Sequence, residues 1–196
     1  MIPDSRKTDE ELVAEAQKGS DLDFSILVDR HTNAVFRLAY GITRSTQEAE
    51  DIVQETFLKA FKHLDGFSPE KANFRTWLLT ITRNQSINVF SALKRKTLRF
   101  VTSTDDDERD FDSAGNPHSA CGNPEKVLTV KQEHKRVEQA LAQLSERQRT
   151  ALLLKAQESM SYEEIAAVMG ASASSVESLI FRARKRLLEI LKNLEK

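Results

Sequence analysis

Asp51, Gln54, Glu55 and Leu58 recur at steps of three and four, which places two carboxylates, an amide and an aliphatic tip on one face of a helix. Such a row can hold a partner through hydrogen bonds and one apolar contact. Periodicity alone favours an ordinary solvated face, since charged rows are usually just solvated. A second row runs through Arg75, Arg83, Asn84 and Asn88 to Lys94 and Arg95, interleaved with Phe74, Trp77 and Phe90. Donors mixed with aromatic rings suit phosphates and exposed bases, again with a plain basic surface as the alternative. Phe67, in the preceding loop, is either a tether to the core or a ring on which a base stacks. A third group opens with Ser172, Ser174, Ser175 and Ser178 and continues with Arg182, Arg184, Lys185 and Arg186. Hydroxyls at the start of a helix followed by cations fit base edges and phosphates. All three patterns suit binding rather than catalysis. The chain shows no nucleophile–base pair, glycine-rich phosphate cradle or metal cluster, so enzymatic chemistry is not expected.

These rows need helices to carry them, and the pattern supplies helices almost throughout. Thr8 and Glu11 predict a capping box for a short helix ending near Lys18. A second helix is expected from about Asp23 to Ile42, burying Phe24, Leu27, Val28, His31, Val35, Phe36, Leu38 and Ala39, with His31 structural. Gly41 and Ser45–Thr46 mark the turn into a third helix. There Ser45 and Glu48 form a further box, and Ala49, Ile52, Val53, Phe57, Ala60, Phe61 and Leu64 face inward. The fourth helix, about Asn73 to Lys96, has Trp77, Leu78, Ile81, Ile87 and Phe90 on its core side. Periodicity then stops from Thr97 to Asn123, a stretch rich in aspartate that reads as a linker. It is not an EF-hand, since Phe111 and Pro117 stand where the loop needs glycine and glutamate.

Helical pattern returns near Glu125, with Val127, Leu128, Val130, Val137, Leu141 and Leu144 apolar. Ser145–Gln148 caps a helix to about Gln157, and Ser161–Glu164 caps a short one ending at Gly170. Ser172 starts the last, Ala173 to about Leu194. The final two helices, joined by Gly170-Ala171-Ser172, carry the helix-turn-helix signature. Ile165, Met169, Val176 and Leu179 point inward, and small Ala166 permits a close crossing.

Composition narrows the classes further. With 196 residues, 39% hydrophobic and 30% charged, and only six glycines and four prolines, the chain suits one or two small helical domains. The net charge of −1 conceals basic blocks around 94–99 and 182–186 on either side of an acidic run, so polyanion contact is expected at local patches. One cysteine, Cys121, excludes an intramolecular disulfide framework. No apolar run approaches the length of a membrane span and no signal peptide is legible, which predicts a cytoplasmic protein.

Taken together, the halves resemble a bacterial RNA polymerase sigma factor of the extracytoplasmic-function (ECF) group of the sigma-70 family. The resemblance runs from about Thr8 to Leu191. Ala49 to Phe61, Phe74-Arg-Thr-Trp-Leu78 and Thr82-Arg-Asn84 are similar to region 2. Leu144-Ser-Glu-Arg-Gln-Arg149, Ser161-Tyr-Glu-Glu-Ile-Ala166 and Phe181-Arg-Ala-Arg-Lys-Arg-Leu187 are similar to region 4. It implies an all-α chain of two domains, 1–96 and 124–196, joined by a flexible acidic linker, 97–123.

Asp51, Gln54, Glu55 and Leu58 would dock on the β′ coiled coil of RNA polymerase core. Phe67, Arg75, Arg83, Asn84, Asn88, Lys94 and Arg95 would contact the −10 element, Asn84 gripping a flipped base. Ser172, Ser174, Ser175, Ser178, Arg182, Arg184, Lys185 and Arg186 would read promoter DNA at −35 while the same domain sits on the β flap. The linker carboxylates would imitate phosphates in polymerase channels, and an anti-sigma factor would mask both domains. No metal, cofactor or small-molecule substrate is implied. Two departures stand out. Glu177 and Leu179 occupy places where many members carry cations, which leaves less phosphate attraction in the recognition helix. Thr80 and Ile81 fall where primary sigma factors have aromatic residues that help open DNA. The alternative is a stand-alone helix-turn-helix regulator, which would bind DNA without polymerase, usually at a palindrome.

Overall fold

A computed structural model describes residues 7–101 and 136–194, and every regular element among them is helical. Helix α1 spans Asp9–Gln17 and starts with the full capping box: Thr8 N–H donates to Glu11 Oε2 at 2.8 Å and Glu11 N–H to Thr8 Oγ1 at 3.3 Å. Helix α2, Asp21–Thr43, is capped by Ser20. Gly41 lies inside α2 and does not mark its end. The turn falls at Arg44, left-handed at φ +61°, whose N–H closes on the Tyr40 carbonyl at 2.7 Å. An arginine there gave no signal, because left-handed turns are announced by glycine or asparagine.

Helix α3 spans Thr46–Lys62. Ser45 Oγ accepts from Glu48 N–H at 3.3 Å, the serine half of the expected box. After a 3-10 turn, Leu64–Gly66, helix α4 runs Phe74–Val101, past the predicted end at Lys96. No glycine or proline interrupts Thr97–Val101, so nothing stops the helix there. The rest of the predicted linker, Cys121 and the apolar positions Val127, Leu128 and Val130 lie outside the described residues. Helix α5 is described over 136–142, followed by α6 (Glu146–Gln157), α7 (Tyr162–Met169) and α8 (Ala173–Leu194). The capping boxes at Ser145–Gln148 and Ser161–Glu164 are complete, and Gly170 is left-handed at φ +59°. Helices α7 and α8 meet at 97°, the bend of a helix-turn-helix.

Leu12, Leu27, Val35, Phe57 and Leu78 form the core of the first half, with Phe67, Phe74 and Trp77 in mutual ring contact beside them. Burying each large side chain contributes about 1.5–3 kcal/mol. Phe61, expected inside, is 52% exposed and meets Phe24 in a T-shaped pair, with ring centroids 5.0 Å apart. His31 ties α2 to α1 through a 2.7 Å bond to Asp9 Oδ2, and Arg30 pairs with the same carboxylate. On α4, Leu78 and Leu79 are fully buried while Trp77, Ile81, Ile87 and Phe90 are half-buried. Thr82 and Ser86 are also buried, their hydroxyls donating to the carbonyls of Leu78 and Thr82 at 2.9 and 2.8 Å. Self-satisfied hydroxyls of this kind break an apolar stripe without leaving a polar atom stranded.

The second half packs Ile165, Ala166, Met169, Val176 and Ile180 together, but this cluster does not stop at the boundary between halves. Leu38, Ile42 and Leu79 join Ala151, Leu154 and Met160 in the same apolar cluster. No single helix among the described residues is long and apolar enough to cross a membrane.

Candidate functional site

The row on α3 is set by its opposite face. Ala49, Ile52, Thr56, Phe57 and Ala60 are buried, which turns Glu50, Asp51, Gln54, Glu55 and Leu58 outward. Leu58 is 55% exposed, an aliphatic tip held in water beside two carboxylates and an amide. Leaving it there costs the burial that a partner would recover.

Asn73 caps α4, its Oδ1 accepting from Thr76 N–H at 2.7 Å. The predicted donor row on that helix divides. Asn84, Asn88 and Arg95 are exposed. Lys94 lies on the helix, but its side chain is outside the described set. Arg75 and Arg83 are turned toward the second half of the chain: Arg75 pairs with Glu158, and Arg83 approaches Glu146 at 4.0 Å and donates to Asn84 Oδ1 at 3.2 Å. Phe67 is 8% exposed, with its ring against Trp77 at 5.0 Å, so the tether is the placement observed. Gln17 Nε2 fastens the same loop by donating to the Leu64 and Phe67 carbonyls at 2.8 and 3.0 Å. Nothing in the residue types around Gln17 signals that long-range role.

The third group is brought together as expected. Ser172, Ser174 and Ser178 are exposed and Ser175 half-exposed, the Ser175 N–H donating to Ser172 Oγ at 3.2 Å as an N-cap. Arg182, Arg184, Lys185 and Arg186 are exposed along α8, and Arg182 Nε donates to the Ser178 carbonyl at 3.1 Å. Leu179 packs inward at 9% exposure, so of Glu177 and Leu179 only Glu177 stands on the surface. Phe181 was missed as a candidate. It is 70% exposed and borders an open groove with Tyr162, Glu177 and Arg184. An aromatic ring within a basic run was the available signal.

Glu164 anchors α7 by accepting from Ser161 N–H at 2.8 Å and from Asn73 Nδ2 at 3.0 Å. That backbone bond, more than the Asn73 contact, holds its carboxyl below the usual range. Arg149 is 4% exposed; burial, and then the charge of Arg44, push its guanidinium toward the neutral form. Among the described residues, no group of His, Cys, Asp and Glu could hold a metal ion. The described residues thus present an exposed row on α3, a divided row on α4 and an exposed row on α8.

Two family models match the chain, one in each half. Residues 27–96 match the family model "Sigma-70 region 2" and residues 134–187 match "Sigma-70, region 4". The chain is 33% identical over 190 residues to the RNA polymerase sigma-H factor of Pseudomonas aeruginosa, covering 97% of each. It is 35% identical over 182 residues to the ECF RNA polymerase sigma-E factor of Escherichia coli K12, covering 92% of each. Among solved structures it is similar to CnrH in complex with the cytosolic domain of CnrY, with TM-score 0.70, 29% identity and coverage of 95% of this chain and 99% of that one. It is also similar to the sigma factor RpoE in complex with the anti-sigma factor NepR from Bartonella quintana, with TM-score 0.66, 29% identity and coverage of 87% and 97%.

Proposed function

The chain belongs to the ECF group of the sigma-70 RNA polymerase sigma factors, and from that premise we propose how its surfaces divide the work. It is an alternative sigma factor that directs RNA polymerase to promoters. The exposed row Asp51, Gln54, Glu55 and Leu58 docks on the β′ coiled coil of the core enzyme. The observation that carries this assignment is the outward Leu58 among acceptors, on a helix whose other face is sealed in the core.

The outward side of α4 meets the opened strand at −10. Asn84 and Asn88 offer amides to unstacked bases, while Arg75, Arg83, Lys94 and Arg95 hold phosphates. Phe67 acts there by anchoring its loop. In the second half α8 enters the major groove at −35 with its serine-rich start, and Arg182, Arg184, Lys185 and Arg186 grip the backbone. The domains are taken as 1–96 and 124–196 with 97–123 as linker, and the second domain also rests on the β flap. An anti-sigma factor is the expected regulator, as the similar sigma factor RpoE of Bartonella quintana was solved in complex with one.

Run-off transcription with purified core tests the reading. Core plus this protein should initiate at a defined set of start sites that share two elements, and core alone should not. If the protein shifts palindromic duplexes without core and leaves start sites unchanged, the stand-alone regulator is correct.

A further inference from the structure

We propose that Glu177 ties the −35 reading of this chain to one cytosine, its carboxylate accepting from the amino group of that base. This role presupposes that α8 enters the major groove at −35. Ser174, Glu177, Ser178 and Phe181 follow one another at steps of three and four, so they share one face of α8. Val176, Leu179, Ile180 and Ala183 are buried on the other side, and that packing turns the four outward. All four are exposed, and Glu177 and Phe181 border the same open groove.

Glu177 is the only charged residue from Ala173 to Phe181. Its neighbours one turn away are Ala173, Ser174, Ile180 and Phe181, so the helix gives it no cation. The cations begin at Arg182, whose Nε turns back to the Ser178 carbonyl at 3.1 Å, and Arg186 pairs with Glu189 at 3.6 Å. Among the described residues, no hydrogen bond or ion pair engages the Glu177 carboxylate.

A bare carboxylate entering a groove walled by phosphates is repelled unless a donor on a base edge receives it. In the major groove those donors are the amino groups of cytosine and adenine. Adenine sets its N7 acceptor beside the amino group, where it opposes a carboxylate, and cytosine has no acceptor there. Guanine and thymine present acceptors and are rejected. Ser174 and Ser178 do not duplicate this choice, because a hydroxyl either donates or accepts. Glu177 is the one group on the face that can only accept.

Holoenzyme assembled from core and the full-length chain tests this on a promoter found by run-off transcription, with its upstream element randomised. Wild type should select cytosine at one position by about five-fold or more over each other base, the scale of one good base contact. Glu177→Gln should move that position to adenine, whose N6 and N7 pair with an amide, and Glu177→Ala should leave it without preference. Both variants should fold as wild type does, because the side chain is exposed and unpaired. The same selection by all three chains, or a rise in affinity for every sequence alike, would overturn the cytosine contact and leave the −35 reading intact. A wild-type preference for another base at the position that depends on Glu177 would overturn it too. If wild type selects nothing upstream, the −35 reading falls and the cytosine contact with it.

Discussion

Asp9 shows how much one side chain can organise at the residue scale. The hydrogen bond from His31, with Arg30 beside it, holds the Asp9 carboxyl below its ordinary range against the opposing effect of burial. A depressed folded value means that the native state takes up the proton later than the unfolded chain does. The stabilisation is therefore complete above the unfolded value, about pH 4, and is lost as pH falls through the lower folded value. Asp9→Asn should cost roughly 1–2 kcal/mol at pH 7, the range of a charge-assisted bond at a partly exposed site. In urea unfolding followed by circular dichroism, the gap between the two proteins should close as pH falls below about 4. A gap that persists in full well below about pH 4 would show that the Asp9 carboxylate is not the stabilising species.

At the scale of elements, what was legible in the sequence is what local chemistry dictates. Thr8–Glu11, Ser145–Gln148 and Ser161–Glu164 are reciprocal caps readable from four residues, and they start α1, α6 and α7 where expected. Gly170 ends α7 for a reason visible in one residue. Features set by distant packing were not legible. Phe61 breaks its own helical stripe because the core ends beneath it, and the hydroxyls of Thr82 and Ser86 sit inside an apolar seam. Ser159, left-handed at φ +53° beside Glu158, turns the chain into α7 with no glycine to announce it.

Of the binding rows, the α3 face and the start of α8 are exposed as their spacing predicts. The α4 row is split by contacts with the other half of the chain. The exposed cations of α8 make a prediction that belongs to this scale. Replacing Arg184 or Lys185 with alanine should weaken holoenzyme binding to promoter duplexes of any −35 sequence. Each replacement that frees one phosphate should also lower the slope of log affinity on log salt by about 1. An unchanged slope would show that those residues do not hold phosphates.

At the scale of the whole molecule, two bundles that read as separate units share an apolar cluster across α2, α4, α6 and α7, with Glu158 and Arg149 buried at the seam. Sequence periodicity could not show this. Leu38, Leu79 and Leu154 look alike whether they face their own bundle or the other, and only Gly41, a helical glycine without a local reason, hinted at a close neighbour. The α3 row lies apart from the seam.

Polymerase docking through α3 is tested most directly by titrating purified core with the wild-type chain and with the Asp51→Ala, Gln54→Ala, Glu55→Ala variant. All three side chains are exposed, so the variant should unfold within about 0.5 kcal/mol of wild type. The wild type should form a one-to-one complex, and the variant should bind core at least ten-fold more weakly. Equal affinity of the two folded proteins for core would contradict docking through this face.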